Sequence, residues 1–239
     1  MSKSLQDANV IPLGIGYYTT ADAARLLKTS QRNIVRWLGG YSYRNVHGDV
    51  TKAPPLWRPQ LPRFDEALEI GFHDLIELRF VLAFLGGDVG LNVLRRCLEN
   101  ARAILGVERP LSTRRFRTDG KSIFLESLRE TASEETPSLV DLKTNQMVFK
   151  QIVEQTFRDL DLVDDSVVQW RPFHGKASIV IDPLRSFGKP LAAEFGVPTF
   201  ALANAAKVEK SPARVARSFD VPLSVVNDAI AFEQSLIAA

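Results

Sequence analysis

Along most of the chain, apolar positions recur every three or four residues, so helix is the prevailing expectation. Near the N-terminus, residues 21–27 and 31–38 form two short amphipathic stretches. Each follows a hydroxyl residue suited to an N-cap, Thr20 and Ser30. Lys28-Thr29 reads as the turn between them, and Gly39-Gly40 ends the second. At about 100° per residue from Ser30, Ile34, Trp37 and Leu38 gather on one side of that helix. Arg32 and Arg36 stand together on the other, flanked by Asn33 and Val35. Such a helix docks its apolar side on the preceding one, where Ala23 and Ala24 permit close approach.

Residues 1–16 are polar, then Gly- and Pro-punctuated, and read as an arm without independent structure. After the helix pair, residues 41–46 alternate aromatic and polar side chains and lead into a Gly-containing turn at 47–49, the pattern of a hairpin. Pro54, Pro55, Pro59 and Pro62 forbid a longer strand. The helical pattern resumes at Phe64, with a broad apolar face from Phe72 to Leu85 that Gly86-Gly87 stops. A second amphipathic helix runs from Leu91 to Leu105 and ends at Gly106. Arg115-Phe116-Arg117, Asp119-Gly120 and Ile123-Phe124-Leu125 predict a β-hairpin with a primed turn. Residues 131–138 read as a polar, acidic loop, and 148–160 as a helix ending in solvated acids. Residues 167–170 and 178–181 read as strands, and 200–206, 212–219 and 224–237 as helices. Ser211-Pro212 would cap the second of these and Ser224 the third. The expected class is mainly α with small β elements (α+β). Its parts are a head at 1–105, a connecting region at 106–170 and an α/β-containing helical domain at 171–239.

Charge sharpens this picture. The 30 basic and 28 acidic residues leave a net +2, but residues 25–63 alone carry +7 and the remainder −5. A basic module on a mildly acidic body suits a polyanion, because Lys and Arg release counterions from phosphates. The two helices at 18–38 then read as a DNA-binding helix-turn-helix. Gln31, Arg32 and Asn33 lie in the first turn of its second helix, where such motifs reach base edges. Arg matches guanine, and Asn or Gln matches adenine. The expected DNA-contacting set is Thr20, Ser30, Gln31, Arg32, Asn33 and Arg36, with Tyr43, Arg44, Arg58 and Arg63 from the hairpin and the segment after it. Lys52 and His47 would add phosphate contacts there.

The remaining chemistry is sparse. His47, His73 and His174 have no ligand spacing among themselves or to Cys97, so no metal is expected. Cys97 lies within an amphipathic helix, as a buried small apolar residue does. Asp159, Asp161, Asp164 and Asp165 lack the Gly and terminal Glu of a calcium loop. Gly14-Ile15-Gly16 lacks a phosphate-loop Lys. No cofactor and no catalytic residue are expected. With one cysteine and no apolar run near the ~20 residues of a membrane helix, a cytoplasmic protein with no membrane partner is the expectation.

The stretch Tyr18 to Trp37 resembles the opening of MerR-like winged-helix proteins. Residues 74–80 and 90–95 resemble the helices after that family's wing, so the match covers roughly the first 105 residues. A second resemblance, over about 171–239, is to an antitoxin-associated domain of unknown function. It is carried by Ile179-Val180-Ile181-Asp182-Pro183, Phe187-Gly188-Lys189-Pro190, Gly196-Val197-Pro198-Thr199, Val215 to Phe219 and Val225 to Phe232. Together they resemble VapB-type antitoxins. That resemblance implies that it binds its own operator DNA, represses its own operon and neutralises a PIN-like ribonuclease toxin by direct binding; a homodimer is expected because helix-turn-helix readers bind two half-sites. The competing expectations are a MerR-like regulator that senses a small molecule and an enzyme with an unrecognised site.

Overall fold

A computed structural model describes residues 13–44, 47–63, 65, 67–131 and 139–237, the last segment without the side chains of 139–143. Phe64, the middle of the hairpin turn, most of the N-terminal arm and the acidic loop at 132–138 lie outside these residues.

The chain opens with β1 (Tyr18–Thr19), α1 (Thr20–Leu27) and α2 (Gln31–Gly39), followed by the hairpin β2 (Tyr41–Arg44) and β3 (Val50–Ala53). β4 (Glu69–Ile70) returns antiparallel to β1 and leads into α3 (Phe72–Gly86). Helical structure therefore starts at Phe72, eight residues later than the sequence pattern predicts, because Glu69 and Ile70 are drawn into the strand that closes against β1. α3 is apolar on nearly every side and forms the axis of the core, as a helix without a polar face must. α4 (Leu91–Leu105) buries Leu94, Cys97, Leu98 and Ala101 in the same core and ends on Gly106 in the left-handed region. Burial makes Cys97 inert as an acid, its thiol pushed up to about 12.

The expected hairpin at 115–125 is instead helix α5 (Arg114–Thr131). Phe116, Gly120, Ile123, Phe124 and Ser127 recur at helical spacing and form its buried stripe. The Asp119-Gly120 turn signal loses to that stripe. A helical Gly costs about 1 kcal/mol, whereas burying each of three large apolar side chains contributes roughly 1.5–3 kcal/mol. Gly120 also leaves room for the ring one turn earlier, since a Cβ there would meet Phe116 at 2.9 Å. α6 (Leu139–Phe157) is longer than expected at its start and ends before Leu160. It brings Phe149 within 5.2 Å of Phe124 and 5.8 Å of Phe84, ring centroid to centroid, closing an aromatic cluster between α3, α5 and α6.

The four aspartates read as a solvated helix end belong instead to a second hairpin, β5 (Leu160–Val163) and β6 (Ser166–Trp170). Asp159 accepts from Arg79 and from the Trp170 indole (3.1 Å), and Asp161 pairs with Arg171. Asp165 accepts from the Arg115 backbone N–H (2.9 Å) and side chain (2.7 Å) at the start of α5. Arg115 is thus a helix-start residue rather than part of a hairpin strand.

β7 (Ile179–Val180) pairs with β8 (Leu191–Ala192). α7 (Thr199–Glu209), α8 (Pro212–Ser218) and α9 (Leu223–Ile237) pack on one another around Leu202, Val215, Val226 and Ala229. Ser211 caps α8 as expected, accepting from Arg214 N–H, whereas α9 begins one residue before Ser224. One apolar cluster is continuous from Tyr18 and Ile34 through α3 to Phe232 and Leu236 of α9. Among the described residues, no helix is long and apolar enough to cross a membrane.

Candidate nucleic-acid interface

The structure moves the first cap by one residue. Thr19, not Thr20, is the N-cap of α1. Its hydroxyl accepts from Asp22 N–H (3.1 Å), and the Asp22 carboxylate accepts from Thr19 N–H (3.3 Å). Thr20 becomes the first helical residue, and its hydroxyl reaches the Gln31 side chain at 3.4 Å across the helix pair. Lys28 closes α1 in the left-handed region, and Ser30 caps α2 by accepting from Asn33 N–H (3.1 Å). Ala23 and Ala24 are buried opposite Ile34, Trp37 and Leu38, leaving Gln31, Arg32, Val35 and Arg36 in water. Asn33 is half-buried, and its amide donates to Thr29 Oγ1 (3.2 Å), so it is already oriented along the helix.

Arg36 lies over the Tyr41 ring, 4.1 Å from its centroid, and Tyr43 follows 5.8 Å further along the same strand face. α2 and the hairpin thus form one ledge carrying Arg32, Arg36, Tyr41 and Tyr43. Arg44 does not join it. Successive strand residues face opposite ways, and Arg44 folds back to the Gly48 carbonyl (3.1 Å), sharing its face with Lys52. Arg58 and Arg63 are exposed, with Arg63 beside Gly39 at the end of α2.

The proline-rich segment after the hairpin is held by a device that sequence reasoning missed. Leu56 N–H donates to the Trp37 carbonyl (2.7 Å), tying the segment to the end of α2. Three arginines then clamp its carbonyls: Arg95 holds Pro54 (2.8 Å), Arg102 holds Leu56, and Arg109 holds Arg58 (2.7 Å). Their spacing of seven residues was the available signal. The Asp74 carboxylate anchors the same segment from below. It accepts from Trp57 Nε1 (2.9 Å), Gln60 N–H (2.7 Å), Gly71 N–H (3.1 Å) and Arg109 Nε (2.8 Å). The Gln60 side chain reciprocates by accepting from His73 N–H (2.8 Å). Gly71 leaves room for this approach, since a Cβ there would overlap the Gln60 side chain that holds the start of α3. His73 lies in the first turn of α3, and burial, helped by nearby Arg109, holds its pKa below the ordinary value.

One turn along α3, Glu77 is fully buried and accepts from Ser112 N–H (2.7 Å) and Leu111 N–H (3.3 Å). Burial lifts its carboxyl to about 7, although these two donors and Arg109 pull the other way. A raised folded pKa means the native state holds this proton more tightly than the unfolded chain does. Its stabilisation is complete below about pH 4.5 and is lost as pH rises to about 7, on the order of 3 kcal/mol in all. Denaturation of the wild type and Glu77→Gln at pH 5 and pH 8 should show the wild type losing stability relative to the variant. Parallel losses would refute this assignment.

Not every basic residue of the N-terminal segment is available to phosphate. Arg25 on α1 pairs with Glu233 of α9 (3.1 Å), and Thr199 also donates to Glu233. Asp228 is taken by Lys176 (3.3 Å). α9 therefore turns acidic side chains toward the rest of the protein. Among the described residues, no three His, Cys, Asp or Glu side chains gather as metal ligands would.

No family model matches the chain. Over 188 residues it is 26% identical to a Mycobacterium tuberculosis (strain H37Rv) protein named "Putative antitoxin VapB45", spanning 75% of this chain and 78% of that protein. Its fold matches the crystal structure of Rv2018 from Mycobacterium tuberculosis with a TM-score of 0.67 at 20% identity. That match covers 92% of this chain and all of the other.

Proposed function

We propose that this protein is the antitoxin of a toxin–antitoxin pair. It binds its own operator through a winged helix-turn-helix, represses its operon as a homodimer, and neutralises a PIN-like ribonuclease by direct binding rather than by catalysis. The toxin-facing half of this reading is supported by the antitoxin-named relative over three quarters of the chain. The DNA half is carried by one observation: α2 points Gln31, Arg32 and Arg36 into water, with Arg36 braced on the Tyr41 ring beside it. In this reading α2 enters the major groove and the β2–β3 hairpin is the wing. The prolines and the arginine clamps fix the angle between them.

The decisive experiment is an electrophoretic shift on the protein's own promoter, with and without the product of the adjacent reading frame. The reading requires promoter retardation by the protein alone and a stable complex with that product. Promoter binding without any complex would favour a regulator with no toxin partner. Arg58, exposed on the clamped segment, should act only on phosphate. Arg58→Ala is expected to weaken binding to all sequences alike and reduce the slope of log K against log salt by about 1. A sequence-selective loss would remove Arg58 from that role.

A further inference from the structure

The loop between β7 and β8 holds an uncommon backbone. Ser186 (φ +47°) and Phe187 (φ +54°) sit in the left-handed region, directly before Gly188 (φ +78°). Two successive side-chain-bearing residues there are strained, and such strain persists only where surroundings over-determine it. The surroundings here do so. Tyr18 Oη donates to the Gly188 carbonyl (2.6 Å), and Tyr17 N–H donates to the Phe187 carbonyl (2.9 Å). Asp182 accepts from Leu184 N–H (2.9 Å), and Arg185 donates to the Ala193 carbonyl (2.8 Å).

This bracing does not bury the loop's large apolar side chains. Leu184 is 81% exposed and Phe187 58%, so two large apolar side chains stand in water on a backbone fixed by these hydrogen bonds. Beside them, Lys189 lies 5.7 Å from the ring centroid of Phe200, itself 43% exposed. Lys189 and Phe200 also line a cavity of about 270 Å³ between α1 and α9, and Phe200 continues into one of about 590 Å³ lined by Lys207, Ile230 and Ile237. The carboxylates at this cleft are committed elsewhere: Asp22 to its cap, and Glu233 to Arg25 and Thr199. Neither Lys189 nor Lys207 has a carboxylate partner among the described residues. Arg25, Lys189 and Lys207 outnumber Asp22 and Glu233 along this lining, so the surface is apolar with a small positive excess that the two lysines carry.

We infer that the strained 184–187 loop and the adjoining cleft form the docking surface for the protein partner, engaged through an acidic segment bearing apolar anchors. This rests on the antitoxin reading. Rigid presentation of apolar anchors lowers the entropy lost on binding, and it gives the strain a use that folding does not supply. Lys189 and Lys207 select the sign of the partner's charge.

The test measures affinity of the full-length protein for the adjacent gene product by calorimetry. Phe187→Gly removes the anchor and relieves the left-handed strain. It should weaken the complex by at least about 30-fold while leaving the melting temperature equal or higher, a combination that a structural role would not produce. Lys189→Glu should weaken it about 10-fold, more at low salt than at high. Met147→Ser, which alters an exposed apolar residue elsewhere, should change nothing. If the wild type binds and Phe187→Gly and Lys189→Glu bind equally well, the docking surface is overturned and the antitoxin reading stands. If the wild type does not bind the adjacent product at all, both fall. A wild-type dimer that becomes monomeric in Phe187→Gly would mark this face as a contact between copies of the chain, and would overturn the assignment.

Discussion

Asp74→Ala is expected to destabilise the protein by about 3–5 kcal/mol and to abolish specific DNA binding in the fraction that still folds. Asp74 is completely buried, and its carboxylate accepts from four donors. Removing it leaves the Arg109 guanidinium unpaired in a half-dry site, together with an indole N–H and two backbone N–H groups without acceptors. Losing one partner of a buried charge pair accounts for most of the figure, and the orphaned donors add to it. For a chain of this length, 1 kcal/mol moves the melting temperature by roughly 2–4 °C, so a fall of about 6–20 °C is expected. Asp74→Asn keeps one acceptor oxygen and should fall between the two. The functional loss follows from geometry: Trp57, Gln60 and the Arg58 carbonyl hold the segment that fixes the β2–β3 hairpin against α2. Denaturant unfolding with a shifted midpoint and unchanged slope would confirm the local origin. A midpoint within experimental error of the wild type would refute the central role of this carboxylate.

What could be read from the sequence was what is local. The α1–α2 pair announces itself through caps, a four-residue spacing of arginines and small residues at the crossing, all within twenty positions. α4 and its Gly106 terminus were legible for the same reason. α5 was not, because Asp119-Gly120 is a strong short-range turn signal, whereas the stripe that overrides it matters only once α4 and α6 supply something to pack against. The aspartates near 160 were misplaced because their partners Arg79, Arg115 and Arg171 lie 10 to 80 positions away. The Asp74 hub and the arginine clamps assemble residues 54–109 through single long-range bonds and leave no periodic trace beyond the spacing of Arg95, Arg102 and Arg109. The strained loop at 184–187 was invisible, since nothing in Arg185-Ser186-Phe187 announces left-handed backbone.

The second large effect concerns the outward face of α2. Arg32→Ala and Arg36→Ala together should weaken binding to the protein's own promoter by about 2–4 kcal/mol, roughly 30- to 1000-fold, and should relax discrimination between promoter and unrelated DNA. Both residues are exposed, so stability should change by no more than about 0.5 kcal/mol, separating recognition from folding. They should not be equivalent. Arg32 stands in the first turn of α2 and is free to pair bidentately with a guanine edge, so Arg32→Lys should lose specificity more than affinity. Arg36 lies over the Tyr41 ring, a position that a delocalised guanidinium fills better than an ammonium. Arg36→Lys and Tyr41→Ala should therefore give similar losses, and combining them should add little beyond either alone, as expected for residues acting as one unit. If promoter affinity survives the double alanine variant, α2 is not the recognition helix. If Arg36→Lys and Tyr41→Ala are strictly additive, Arg36 reaches DNA without support from the hairpin, and the ledge is not the functional unit.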